Sequence, residues 1–133
     1  MDMKLGRIGQ IALTATDMDA TVAFYQGKLG LPLTMRPHPG MALFDCGGQS
    51  LLLTLPESGQ PAKTGGAVLY FDCDDIAAAV REMETRGVTF VSAPHRIAQL
   101  PAFDLWMTFF EDPNKNLLAM QMRAPKGYAL PEH

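Results

Sequence analysis

"QIALTATDMDATVAFYQGKLGLPL", residues 10–33, lies almost in register with "VLYFDCDDIAAAVREMETRGVTF", residues 68–90. Asp17 falls on Asp75, Met18 on Ile76, Ala20 on Ala78 and Val22 on Val80, and Gly30 meets Gly87 after one deletion. Self-similarity on this scale implies one supersecondary unit used twice. Each copy reads as strand, acidic cap, helix, glycine, strand. The opening stretches are short and rich in β-branched, aliphatic or aromatic residues. Asp17 and Asp75 are suited to N-caps, because a carboxylate accepts hydrogen bonds from the first free helix amides. Met18, Val22, Tyr25 and Leu29 then mark one helix stripe, and Ile76, Ala79, Val80 and Met83 the other. Gly30 and Gly87 end the helices in the left-handed conformation.

The later halves match as well. "MALFDCGGQSLLLTL" (41–55) resembles "TFFEDPNKNLLAMQM" (108–122), with Asp45 on Asp112 and Leu51-Leu52 on Leu118-Ala119. Both are strand, turn, strand. The expected fold class is α+β: two βαβββ modules, related by pseudo-twofold symmetry, form a curved mixed sheet with the helices outside. Module one spans about 5–55 and module two about 67–122. Between them runs a Pro/Gly-rich linker over 56–66, and a tail follows over 123–133. The whole chain, 1–133, is read as one domain.

Composition narrows the function. The net charge of −3 and the absence of a Lys/Arg run argue against a nucleic-acid partner, which needs clustered cations. The N-terminus "MDMKLGRIGQIALTATD" has acids and glycines where a signal peptide needs an unbroken apolar core. Apolar runs such as "SLLLTLP" are too short to span a bilayer. No membrane partner and a cytoplasmic location are therefore expected. Cys46 and Cys73, the two cysteines, do not form a C-x-x-C pair and read as reduced, small apolar residues.

"IGQIALTATDMDATVAFYQGKLGLPL", "YFDCDDIAAAVREMETRGVTF" and "FFEDPNKNLLAM" together resemble the vicinal oxygen chelate superfamily, which includes glyoxalase I, ring-cleaving dioxygenases and bleomycin- or fosfomycin-resistance proteins. The first resembles that family's strand followed by D-x-x-x-x-x-x-F-Y-x-x-x-L-G. The last resembles F-x-D-P-x-G-N-x-x-E, with Lys115 in place of the glycine. The resemblance covers residues 8–122 and implies metal ligands on the first and fourth strands of each module. Those slots fall on Gln10, Leu52, Val68 and Ala119. A divalent ion needs three or four N, O or S donors, often anionic. One amide and three hydrocarbons do not supply them. No metal and no cofactor are therefore expected, unless Asp45, Tyr70, Asp72 or His95 have taken over at shifted positions.

The functional expectation is a metal-independent small-molecule-binding protein with its ligand in the concave sheet cavity. The residues expected to line it are Gln10, Leu52, Val68, Tyr70, Trp106 and Ala119. A bleomycin-resistance type, holding a cationic drug at a dimer groove, is one form the resemblance suggests. The alternative is a lyase, isomerase or dioxygenase that uses non-standard metal ligands, or acid–base work by His95 with Tyr70 or Asp104. His95 is read as lying on the connection before the strand "LWMTFF". A third reading is an interaction module in which the dimer face matters more than the cavity. Self-association into a homodimer is expected in each case.

Overall fold

A computed structural model describes residue 3, residues 6–56, residue 61 and residues 66–131. Most of the expected linker, and the last two residues of the tail, lie outside the described residues. The chain divides into two compact units, residues 1–64 and 65–133.

In the first unit, β1 (Gln10–Thr14) leads into α1 (Met18–Val22), which continues as a π-helical segment over Ala23–Lys28. β2 (Leu33–His38), β3 (Met41–Cys46) and β4 (Gln49–Thr54) follow. The sheet order is β1-β4-β3-β2, with β1 parallel to β4 and the other pairs antiparallel. Asp17 caps α1, accepting from the Ala20 amide at 3.1 Å. Gly30 has φ 74°, the left-handed stop that the sequence implied. The β3–β4 hairpin turns on Gly47 and Gly48, both at positive φ (60° and 92°), as a two-residue turn matched to strand twist requires. Tyr25 is fully buried, with its ring 5.5 Å from that of Phe44. By strand alternation this assigns Phe44, Leu51 and Leu53 to the helix side and Leu52 to the opposite face.

The second unit repeats the plan: β5 (Leu69–Asp72), α2 (Ile76–Thr85), β6 (His95–Gln99), β7 (Asp104–Glu111) and β8 (Leu117–Ala124). The sheet order is β5-β8-β7-β6, again with one parallel pair, β5 and β8. Asp75 caps α2 through the Ala78 amide at 3.1 Å, and Gly87 has φ 86°. Ile76, Trp106, Met122 and Ala124 form a buried cluster. The α+β class and the βαβββ plan of each unit are therefore as expected.

Two local readings differ from expectation. "GVTF" was expected as the strand after α2, yet it contributes only an isolated bridge, Phe90 to Phe110. The ladder partner of β7 is instead β6, which begins at His95. His95 is therefore a strand residue, not a loop residue. The turn "EDPNKN" keeps its geometry despite Lys115. Asp112, 4% exposed, accepts from the backbone amides of Asn114 and Asn116, both at 2.8 Å. Its other oxygen accepts from the two Asn side chains at 3.3 and 2.9 Å. Held in this way, Lys115 takes φ 70°, the conformation glycine adopts without steric cost.

Candidate functional site

The face of the second sheet away from α2 collects the chemistry. Because Trp106 and Met122 pack on Ile76, the even-numbered residues of β7 and β8 face the helix. The odd-numbered residues face the other way. One row across that other face is Tyr70–Ala119–Phe109. The two rings stand 6.2 Å apart, edge to face, above the small Ala119, which has no exposure. Tyr70 itself is 47% exposed. The next row is Asp72–Gln121–Met107–His95. Gln121 Nε2 donates to Asp72 Oδ1 at 2.8 Å. A polar hollow of about 250 Å³ opens beside this pair, lined by Asp72, Cys73, Asp74, Gln121 and Arg123. Arg123 stacks over the Phe103 ring at 5.6 Å.

Four of the expected ligand residues share a face with their partner in the same unit. Gln10 and Leu52 lie on the face of the first sheet away from α1, in adjacent rows. Val68 precedes β5 with the parity of Tyr70, and so falls on the face of Ala119. The donor set at these slots remains an amide, two aliphatic chains and a methyl, which does not fit a divalent ion. Among the described residues no group of three His, Cys, Asp or Glu side chains converges as a metal site. Asp45 accepts from the Gly48 amide at 3.1 Å, and Asp75 and Asp112 are engaged in their cap and turn.

Trp106 is placed on the other side. It is 9% exposed, with Tyr128 edge-on at 5.3 Å, and its indole N–H has no acceptor among the described residues. It belongs to the helix-side core, away from the face of Tyr70 and Ala119. The acid–base pairs expected for His95 also do not assemble in this unit. His95 lies three strands from the Tyr70 strand, on the order of 14 Å at about 4.8 Å per strand, and its Nδ1 is 3.3 Å from the Ala93 carbonyl oxygen. Asp104 faces the helix side, where Lys126 Nζ reaches its carboxylate at 2.8 Å and the Gly127 amide donates at 3.0 Å. The Lys126 hydrogen bond, helped by Gly127, holds Asp104 below the usual carboxylate range.

Gln121 and Arg123 were not singled out from the sequence. They follow Ala119 by two and four residues, so period-two alternation extended from that slot would have found them. Cys73, at the rim of the hollow, donates from Sγ to the Gln121 carbonyl oxygen at 3.5 Å. Burial, reinforced by Asp74, Asp72 and Asp75, pushes its thiol up to about 11. A raised pKa and partial burial are the marks of a packing thiol.

The family model for the Glyoxalase/Bleomycin resistance protein/Dioxygenase superfamily matches residues 7–120. The chain belongs to that superfamily. A structure from the mobile metagenome of V. Pseudocholerae is 25% identical, with a TM-score of 0.74 over 93% of this chain and 99% of the other. Lactoylglutathione lyase from Agrobacterium tumefaciens is 24% identical, with a TM-score of 0.72 over 95% of this chain and all of the other. A superfamily protein from Alicyclobacillus acidocaldarius is 23% identical, with a TM-score of 0.69 over 86% and 89%. These likenesses establish the glyoxalase-superfamily fold. No curated protein matches the chain.

Proposed function

We propose that this glyoxalase-superfamily protein binds a small, partly apolar molecule without a metal, on the face of the second sheet that carries Tyr70 and Phe109. The observation that carries this is the aromatic pair over Ala119, with Tyr70 half exposed, set beside a polar hollow. A mostly apolar surface with a few convergent polar groups is the usual make-up of a small-molecule site. The apolar part of the ligand lies against Tyr70, Phe109 and Met107. Its polar part reaches Gln121, Asp72 and Arg123. Superfamily members that use a metal need anionic or imidazole donors at the Ala119 slot and its counterparts. Here the rings cover that slot.

The protein acts as a cytoplasmic homodimer in this reading. Support comes from β2 and β6, each of which ends its own unit's strand order, with Met35 and Ile97 exposed; open edges of this kind favour pairing. Sedimentation at micromolar concentration is expected to show a species near twice the chain mass, and a 14.5 kDa species alone would contradict it.

A fragment screen by amide NMR tests the site. Hits are expected to shift the amides of Tyr70, Phe109, Ala119 and Gln121, and Tyr70→Ala is expected to weaken them about tenfold, or 1.4 kcal/mol. Binding that leaves these amides unmoved and ignores Tyr70→Ala would overturn the assignment.

A further inference from the structure

A second concavity lies on the helix side of the second unit, apart from the Tyr70 face. One wall is a single stripe of α2: Ala77, Val80, Arg81 and Glu84, spaced i, i+3, i+4 and i+7. Facing it are Phe90, Ser92 and Pro94 of the segment after α2, and Leu130 and Pro131 of the tail also line it. The volume is about 360 Å³, within the range of small-molecule sites.

The segment facing α2 and the tail are both held by hydrogen bonds. The Val91 amide donates to the Phe109 carbonyl oxygen at 2.8 Å, and Thr108 Oγ1 donates to the Ser92 carbonyl oxygen at 2.9 Å. The tail is tied by Lys126 and Gly127 on Asp104. Beyond that tie, Tyr128 and Leu130 pack on the Ile76–Trp106 cluster. The cleft is thus preformed, which lowers the ordering cost of binding.

Its polar groups have opposite sign. Arg81 and Glu84 lie one helical turn apart on the cleft stripe, and among the described residues neither forms an ion pair. At the C-terminal end of α2 the cap residue Arg86 pairs instead with Glu82, at 3.1 Å. Ser92 adds a hydroxyl at the facing wall. An anion would gain from Arg81 and be opposed by Glu84, and a cation would meet the reverse. A zwitterion gains from both, and the apolar walls take its body.

We propose that this cleft binds a small zwitterion with an apolar body, of the class of an apolar amino acid, its carboxylate on Arg81 and its ammonium on Glu84. The probes are phenylalanine (zwitterion), 3-phenylpropionate (anion) and phenylalaninamide (cation), titrated into the full chain by amide NMR. Phenylalanine is expected to shift amides of 77–84 and 90–94 saturably and to bind about fivefold tighter than either analogue, as expected for rim charges worth on the order of 1 kcal/mol.

Arg81→Gln is expected to bring phenylalanine down to the affinity of phenylalaninamide. Glu84→Gln is expected to bring it down to that of 3-phenylpropionate. Both side chains are exposed, so the variants keep the fold, and unchanged amide spectra away from the cleft confirm it. Three probes of equal affinity, shifts confined to the Tyr70 face, or no saturable shift with phenylalanine would each overturn the proposal.

Discussion

Ala119→Glu places a carboxylate where the superfamily resemblance implies a ligand and where the structure shows an aromatic cover. Ala119 has no exposure and lies beneath rings 6.2 Å apart. The added atoms must either part Tyr70 from Phe109 or be buried with them. Overpacking of this size costs about 1–3 kcal/mol, and an ionised carboxylate without a donor would add several kcal/mol if it stayed fully buried. Because Tyr70 is already half exposed and can swing outward, a total of about 3 kcal/mol is expected at pH 7. With a urea slope of about 2 kcal/mol/M, the midpoint falls by roughly 1–2 M.

The pH dependence separates charge from bulk. Burial raises the carboxyl pKa above the unfolded value of about 4.3. Between those two values the folded state binds more protons, so the variant regains stability as pH falls from 7 toward 4.3. Ala119→Gln carries the same bulk without a charge and is expected to show no such recovery. Equilibrium urea unfolding of both variants across this range is the assay. A Glu variant as stable as the parent at pH 7, or Glu and Gln variants that track each other at every pH, would refute the placement of Ala119.

Lys115→Gly removes a left-handed lysine at φ 70°, relieving about 1–2 kcal/mol against a Gly entropy cost of about 0.5–1 kcal/mol; a net gain of about 0.5–1 kcal/mol is expected in urea unfolding. Asp104 is held below the usual carboxylate range by Lys126 and Gly127, so its stabilising effect is complete above the unfolded pKa of about 3.9 and is lost as pH falls through the lower folded value. Acid titration of unfolding should therefore show the parent more stable than Asp104→Asn at pH 6, with the two curves converging below pH 4. At pH 8 a Cys73 thiol near 11 is about one part in 10³ thiolate, so iodoacetamide should modify it roughly 10²-fold more slowly in the native protein than in urea.

The fold was readable from the sequence because several independent local signals agreed. Asp17 and Asp75 cap their helices, Gly30 and Gly87 end them, and the paired hairpins follow the repeat. The second unit's edge strand was not readable. "HRIAQ" has no apolar alternation and is mostly exposed, so its pairing with β7 makes it a strand where its own propensity does not. "VTF" carried the β-branched signal, but only Phe90 bridges to β7.

The facing of β7 was equally hidden. Its helix-side residues are Asp104, Trp106, Thr108 and Phe110, two of them polar, while its other face carries Leu105, Met107 and Phe109. Hydropathy alone therefore points to the wrong side, and Trp106 was expected at the ligand. The buried polar residues are satisfied by partners distant in sequence: Asp104 by Lys126, and Thr108 by the Ser92 carbonyl. Lys115 shows the opposite case, a residue of poor local preference held by the four hydrogen bonds that Asp112 accepts.

Native mass spectrometry of the protein purified with and without a chelator tests the central claim most directly. The account predicts the same small organic adduct on the chain in both preparations, with its occupancy lowered by Tyr70→Ala. A bare chain in both preparations, or an adduct that disappears with the chelator, would contradict metal-independent binding at the Tyr70–Phe109 face.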